Sequence, residues 1–132
     1  MKHPFMKISS YILAAFLLLA GVAHFRAPDT FDPLFFDFVP EDVRLIIIYL
    51  SGAAEIILAL GLLTLKFREQ SALLIFWMFV LYLPLHVRDI FIENPVVGSQ
   101  TVAIVRLIMQ FGLLYWVWAI RKATKKAKRE GY

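Results

Sequence analysis

Cysteine is absent from all 132 residues. That excludes disulfides, thiol redox chemistry, iron–sulfur clusters and cysteine-ligated zinc. The chain also lacks a glycine-rich phosphate loop, an HExxH pair, a hydrolase triad and paired catalytic carboxylates. Charge is scarce, at 18% of residues, and four long stretches hold almost none of it. Apart from a basic C-terminal segment, nothing suggests a nucleic-acid partner.

What the chain has instead is apolar length. Hydrophobic residues make up 61% of it and the mean hydropathy is +0.72, whereas a soluble domain is about 45–50% apolar. A spanning helix needs roughly 20 mostly apolar residues. Four stretches qualify, 8–25, 43–65, 71–87 and 101–120, with Glu55 inside the second and Arg106 inside the fourth. Tyr11, Tyr49, Tyr82, Trp116 and Trp118 fall in the outer thirds of these spans, a depth that suits an apolar ring with a polar edge. The expectation is an all-α, four-helix transmembrane bundle forming one domain.

The connections carry their own signals. Pro28, Pro33 and Pro40 make continuous helix improbable between Arg26 and Asp42. Phe31, Phe35, Phe36 and Phe38 in that segment suit a place on the bilayer surface or over the end of the bundle. Pro40-Glu41-Asp42 reads as a helix start, with acids at its positive N-terminus. A short link, Lys66 to Gln70, forces spans two and three into a hairpin, and Asn94-Pro95 and Gly98 mark a turn before span four.

Orientation follows from lysine and arginine. Lys2, Lys7, Lys66, Arg68, Arg121, Lys122, Lys125, Lys126, Lys128 and Arg129 lie on one side; Arg26, Arg44 and Arg88 lie on the other, among seven acids. This ten-to-three bias places both termini in the cytoplasm, with 121–132 as a basic cytoplasmic tail that can meet anionic lipid. Lys2 and Lys7 before an apolar run that ends near Gly21-Val22-Ala23 also resemble a cleavable signal peptide. The run is long for one, and cleavage would leave an odd number of spans, so a retained span is expected.

Ionisable groups at membrane depth cost about 3 kcal/mol on insertion scales and normally face protein or a cavity. His24, Ser51, Glu55, His86, Arg106 and Gln110 form such a set. Ser51 and Glu55 share a helix face, as do Arg106 and Gln110. At about 1.5 Å per residue, Glu55 lies roughly 18 Å from the outer end of its span, Gln110 roughly 14 Å and Arg106 roughly 8 Å. The set therefore occupies the outer half, and the inner half reads as almost wholly apolar. A ligand pocket opening outward fits better than a through-channel. Glu55 with Arg106 is the expected buried pair, either fixing helix register or serving a ligand. Ser51-Gly52-Ala53-Ala54, Gly21 and Gly112 suit close helix approach. His24 and His86 invite a metal or haem, but no ligand spacing accompanies them, and no metal is expected.

Gly21-Val22-Ala23-His24-Phe25, Pro28, Val39-Pro40, Tyr49-Leu50-Ser51-Gly52-Ala53-Ala54-Glu55-Ile56 and Gly61-Leu62-Leu63 together resemble the DoxX-like family of bacterial membrane proteins. Arg106, Gln110 and the Trp116/Trp118 end of span four fit the same pattern, and the resemblance covers roughly 11–120. It implies a four-helix bundle in the bacterial inner membrane. It also implies a link to redox metabolism, since the family is named for a subunit associated with a thiosulfate:quinone oxidoreductase. Other relatives are linked to amine dehydrogenase maturation, redox stress or, distantly, receptor assembly. Cysteine-dependent relatives match poorly. By position, the family's polar residues fall on His24, Ser51, Glu55, Arg106 and Gln110.

Two functions remain open. One is a quinone- or lipid-binding subunit, with His24, His86, Arg106 or Gln110 holding a head group. The other is a non-catalytic assembly or chaperone module packed against other membrane subunits or a second copy of itself. No catalytic motif decides whether the protein is an enzyme.

Overall fold

In lipid a backbone N–H or C=O has no water to bond, so apolar runs of spanning length fold as helices. The computed structural model describes residues 3–96 and 98–131. It contains α1 (Pro4–Arg26), α2 (Glu41–Leu62), α3 (Leu65–Phe91) and α4 (Gln100–Arg129). All four are long and apolar enough to cross a membrane, and no strand occurs among the described residues. The chain is a multi-pass membrane protein built as an all-α four-helix bundle.

Local chemistry sets the helix starts. Pro4 opens α1, where its missing amide hydrogen costs nothing. Pro40 stops the chain before α2, and Glu41 and Asp42 occupy the first turn as expected. Ser99 caps α4, its Oγ accepting from the Val102 amide at 3.2 Å. His3 Nε2 lies 2.8 Å from Glu130 Oε2, so both ends of the chain meet at one end of the bundle. The loops 27–40 and 92–99 lie at the other.

Three expectations need correction. The link between α2 and α3 is Leu63-Thr64, and Lys66 to Gln70 is already helix. The basic segment is not a separate tail but the last turns of α4, which runs on to Arg129: Thr124 and Ala127 are fully buried, and Lys128 reaches the Lys66 carbonyl and the Glu69 carboxylate. A helix loses nothing on leaving the bilayer when one of its faces still has a partner. Lys2, counted on the basic side, lies outside the described residues. The terminal half is also less apolar than expected, because Ser9, Ser10, Arg68, Ser71 and Thr124 are buried there. Ser10 and Thr124 donate to carbonyls one turn back, at 2.6 and 2.8 Å, so neither hydroxyl needs water. Around them Leu13, Leu17, Leu62, Ile75, Val117 and Ile120 close the core.

Helices α1 and α2 approach backbone to backbone. A Cβ at Gly52 would stand 2.7 Å from His24 Cβ and 2.9 Å from the Gly21 carbonyl oxygen. A Cβ at Gly21 would stand 2.8 Å from the Gly52 carbonyl oxygen. The two glycines thus interlock, backbone against backbone. Gly112 does not share this role, since nothing lies within 4 Å of a Cβ placed there. Gly52→Ala should therefore cost about 1–3 kcal/mol through overpacking, and Gly112→Ala should be neutral or better. Melting temperatures of the two variants in one detergent check the contrast; equal behaviour would mean that α1 and α2 can separate freely.

Candidate functional site

The α1–α2 contact carries His24 and Glu55 to the same level of the bundle. His24 Nδ1 donates to the Ala20 carbonyl at 2.7 Å and stands 3.4 Å from Glu55 Oε2. Its ring stacks on Phe31 at 3.9 Å. The 27–40 segment therefore does what its phenylalanines suggested: Phe31, Leu34 and Phe35 roof the bundle. Arg44 fixes that roof from below, its Nε donating to the Val39 carbonyl at 2.7 Å.

On α3 the polar side chains form a ladder. Phe79, Tyr82, His86 and Asp89 follow at intervals of three and four residues and so share a face. The Phe79 carbonyl accepts from Gln110 Nε2 at 2.9 Å. Tyr82 Oη donates to Glu55 Oε1 at 3.0 Å, tying α3 to α2, and Ser51 lies beside the same hydroxyl. His86 adjoins Gln110. Asp89 Oδ2 accepts from Arg106 Nη2 at 3.0 Å, and its Oδ1 accepts from the Val96 amide at 2.6 Å.

This ladder corrects the expected Glu55–Arg106 pair. Glu55 meets Tyr82 and His24, whereas Arg106 pairs with Asp89. Tyr82 and Asp89 are seven residues apart on one helix, about 10 Å along its axis. Arg106 starts near the loop end and extends its long side chain to the Asp89 carboxylate. Reaching Glu55 would have meant turning inward across apolar surface.

One cavity of about 590 Å³ joins all six expected residues, His24, Ser51, Glu55, His86, Arg106 and Gln110. All four helices and the roof contribute to its wall, which is otherwise apolar. Phe16, Leu50, Leu81 and Met109 line it while being half or more exposed on the bundle surface, so it opens sideways toward lipid. Three buried polar atoms on its lining residues make no hydrogen bond within the protein: Glu55 Oε2, His86 Nδ1 and Arg106 Nε. Buried polar groups are normally bonded, and these three atoms are exceptions gathered on residues of one cavity. No group of three or more metal-ligating side chains converges among the described residues.

Sequence reasoning missed two members. Tyr82 was read as an interfacial aromatic and Asp89 as a loop charge; Asp89 is 1% exposed. Their spacing with His86 was the available signal, because those intervals put all three on one face of a continuous α3.

The class these features define is a small integral membrane protein with a polar-lined, laterally open cavity at one end of a four-helix bundle. Residues 13–121 match the family model described as a domain of unknown function (DUF8561), and the chain belongs to that family. No curated protein and no solved structure matches it.

Proposed function

We propose that this chain is a DoxX-like protein of the bacterial inner membrane that binds an amphiphile, quinone-like or lipid-like, as an accessory subunit in redox metabolism. The observation that carries this reading is the trio of polar atoms without a hydrogen bond on an apolar cavity that opens to the bilayer. Polar atoms orient a head group while apolar walls desolvate it. The competing reading, an assembly or chaperone module without a ligand, leaves those atoms unexplained.

Filling the cavity tests the proposal. Ala54 lines it with a single methyl, so Ala54→Phe should leave the protein folded and reduce the amphiphile recovered after detergent purification by at least about tenfold, a loss of about 1.4 kcal/mol of binding. Solvent extraction with mass spectrometry reads the amount, and circular dichroism reads the fold. No extractable amphiphile from the wild type would favour the assembly module.

The basic bias supports a cytoplasmic terminal end and an outside roof. A C-terminal reporter active only in the cytoplasm should give signal, and a tag at residues 29–37 should be labelled from outside; the reverse pattern would invert the model and move the cavity to the inner leaflet.

A further inference from the structure

The outer seam between α3 and α4 carries a cation far from the cavity. No charged residue lies between Arg106 and Arg121. At about 1.5 Å per residue, Arg121 stands roughly 32 Å along α4 from Gln100, and a bilayer's hydrocarbon core is about 30 Å thick. Its guanidinium therefore falls at headgroup level on the terminal end. Its Cζ lies 4.9 Å from the centre of the Trp118 ring, which packs on Phe76 of α3 at 5.1 Å. Trp118 and Trp77 are exposed on the bundle surface, so the platform beneath the guanidinium faces lipid. Stacking of this kind orients a guanidinium without using its hydrogen-bond donors.

No acid of the described residues answers this cation. At the terminal end the acids among them are Glu69 and Glu130. Glu69 is taken by Lys128 at 3.4 Å and Glu130 by His3 at 2.8 Å. Arg121 Nε is covered by protein and bonds to nothing, and no hydrogen bond or ion pair engages the rest of its half-buried side chain among the described residues. Lys122 and Lys125, one and four residues further on, are exposed beside it. The opposite face of these turns, with Ile120, Thr124 and Ala127, is buried in the bundle, so packing holds the three cations together. Like charges four apart on a helix repel, and an anion from outside the chain relieves that repulsion.

We infer that Arg121, with Lys122 and Lys125, binds the phosphate of an anionic phospholipid whose acyl chains lie along Trp77 and Trp118 on the α3–α4 seam. A guanidinium presents a planar fork that matches phosphate oxygens. Indole rings suit the depth just inside the head groups, and these exposed rings next to the cations favour a lipid over a phosphate ion, which would use the cations alone. A head group of net negative charge is preferred to a zwitterionic one, because the zwitterion brings its own ammonium into a cluster of cations. Each basic side chain near the surface contributes about fivefold to the binding of anionic lipid. The site is separate from the cavity and stands whether or not the cavity holds an amphiphile.

The tryptophans of the chain, Trp77, Trp116 and Trp118, all lie on α3 or α4, so bromine on lipid chains quenches fluorescence from the seam itself. The full chain is reconstituted in phosphatidylcholine vesicles to which phosphatidylglycerol with brominated acyl chains is added in steps; brominated phosphatidylcholine gives the reference series. Quenching should give the anionic lipid a binding constant at least about tenfold above the zwitterionic one. Arg121→Gln should lower that ratio about fivefold, and Arg26→Gln, at the roof end, should leave it unchanged. Should Arg121→Gln not fold, Lys122→Gln with Lys125→Gln, both on the exposed face, should lower the ratio in a folded protein. A ratio near one in the wild type would overturn the inference. So would a ratio that neither Arg121→Gln nor the lysine pair lowers, or one that Arg26→Gln lowers as much. Loss of the preference on adding inorganic phosphate at constant ionic strength would overturn the lipid in favour of the free ion.

Discussion

Asp89→Ala should be the most damaging single substitution outside the glycine interlock, lowering stability by about 3 kcal/mol or more. Asp89 is buried and accepts from both Arg106 and the Val96 amide. Its loss strands a guanidinium at membrane depth and frees the loop that leads into α4. Breaking one member of a buried pair typically costs about 3–5 kcal/mol. The Arg106 side chain keeps 24% exposure, which places the effect near the lower end of that range. Replacing both partners, Asp89→Ala with Arg106→Met, should recover more than half of the loss, because no charge is then stranded. The measurement is a double-mutant cycle on thermal unfolding in detergent, in which touching residues couple by about 0.5–3 kcal/mol. The same cycle on Glu55→Gln and Arg106→Met should be additive, since their levels differ by about 10 Å. Coupling at Glu55 and none at Asp89 would restore the pair that the sequence suggested.

The second large effect is expected at the opposite end. Arg68 is 3% exposed and has no carboxylate within ion-pair distance among the described residues. Its Nε donates to the Leu62 carbonyl at 2.7 Å and its Nη2 to the Leu63 carbonyl at 3.4 Å. These carbonyls belong to the end of α2, where helical partners run out and the helix dipole is negative. Arg68 is thus a capping cation delivered from the first turn of the next helix, which explains how a two-residue link can turn the chain around. Arg68→Ala should cost about 1.5–3 kcal/mol, the usual range for hydrogen bonds involving a charged group. Arg68→Lys should recover part of this by keeping the charge while losing the fork. If Arg68→Ala unfolds at the wild-type denaturant midpoint, the turn is held by packing instead.

These results separate what each level of description carried. Composition and run length alone determined that the protein is a four-helix membrane bundle. In a bilayer an apolar stretch of spanning length has no other way to satisfy its backbone. The six polar candidates were legible for a related reason. His24, Ser51, Glu55, His86, Arg106 and Gln110 stand out against lipid-facing sequence, and polar groups that avoid lipid gather where helices face one another. The glycines were half legible: Gly21 and Gly52 interlock, whereas Gly112 touches nothing within 4 Å, because a small residue permits close approach without creating a partner for it.

The tertiary structure decided which polar group meets which. Glu55 and Arg106 looked like partners because charge was counted by span, while Asp89 looked like solvent-facing loop because it follows the apolar run. Once α3 continues to Phe91, Asp89 becomes the carboxylate level with the Arg106 guanidinium, and Tyr82 comes level with Glu55. Helix ends depend on caps and on neighbours such as Arg68, Thr124 and Ala127, which supply partners from elsewhere in the chain. Hydropathy reports how deep a residue can sit; the rotation and axial offset of one helix against another arise only from packing, and they set every pairing in the site.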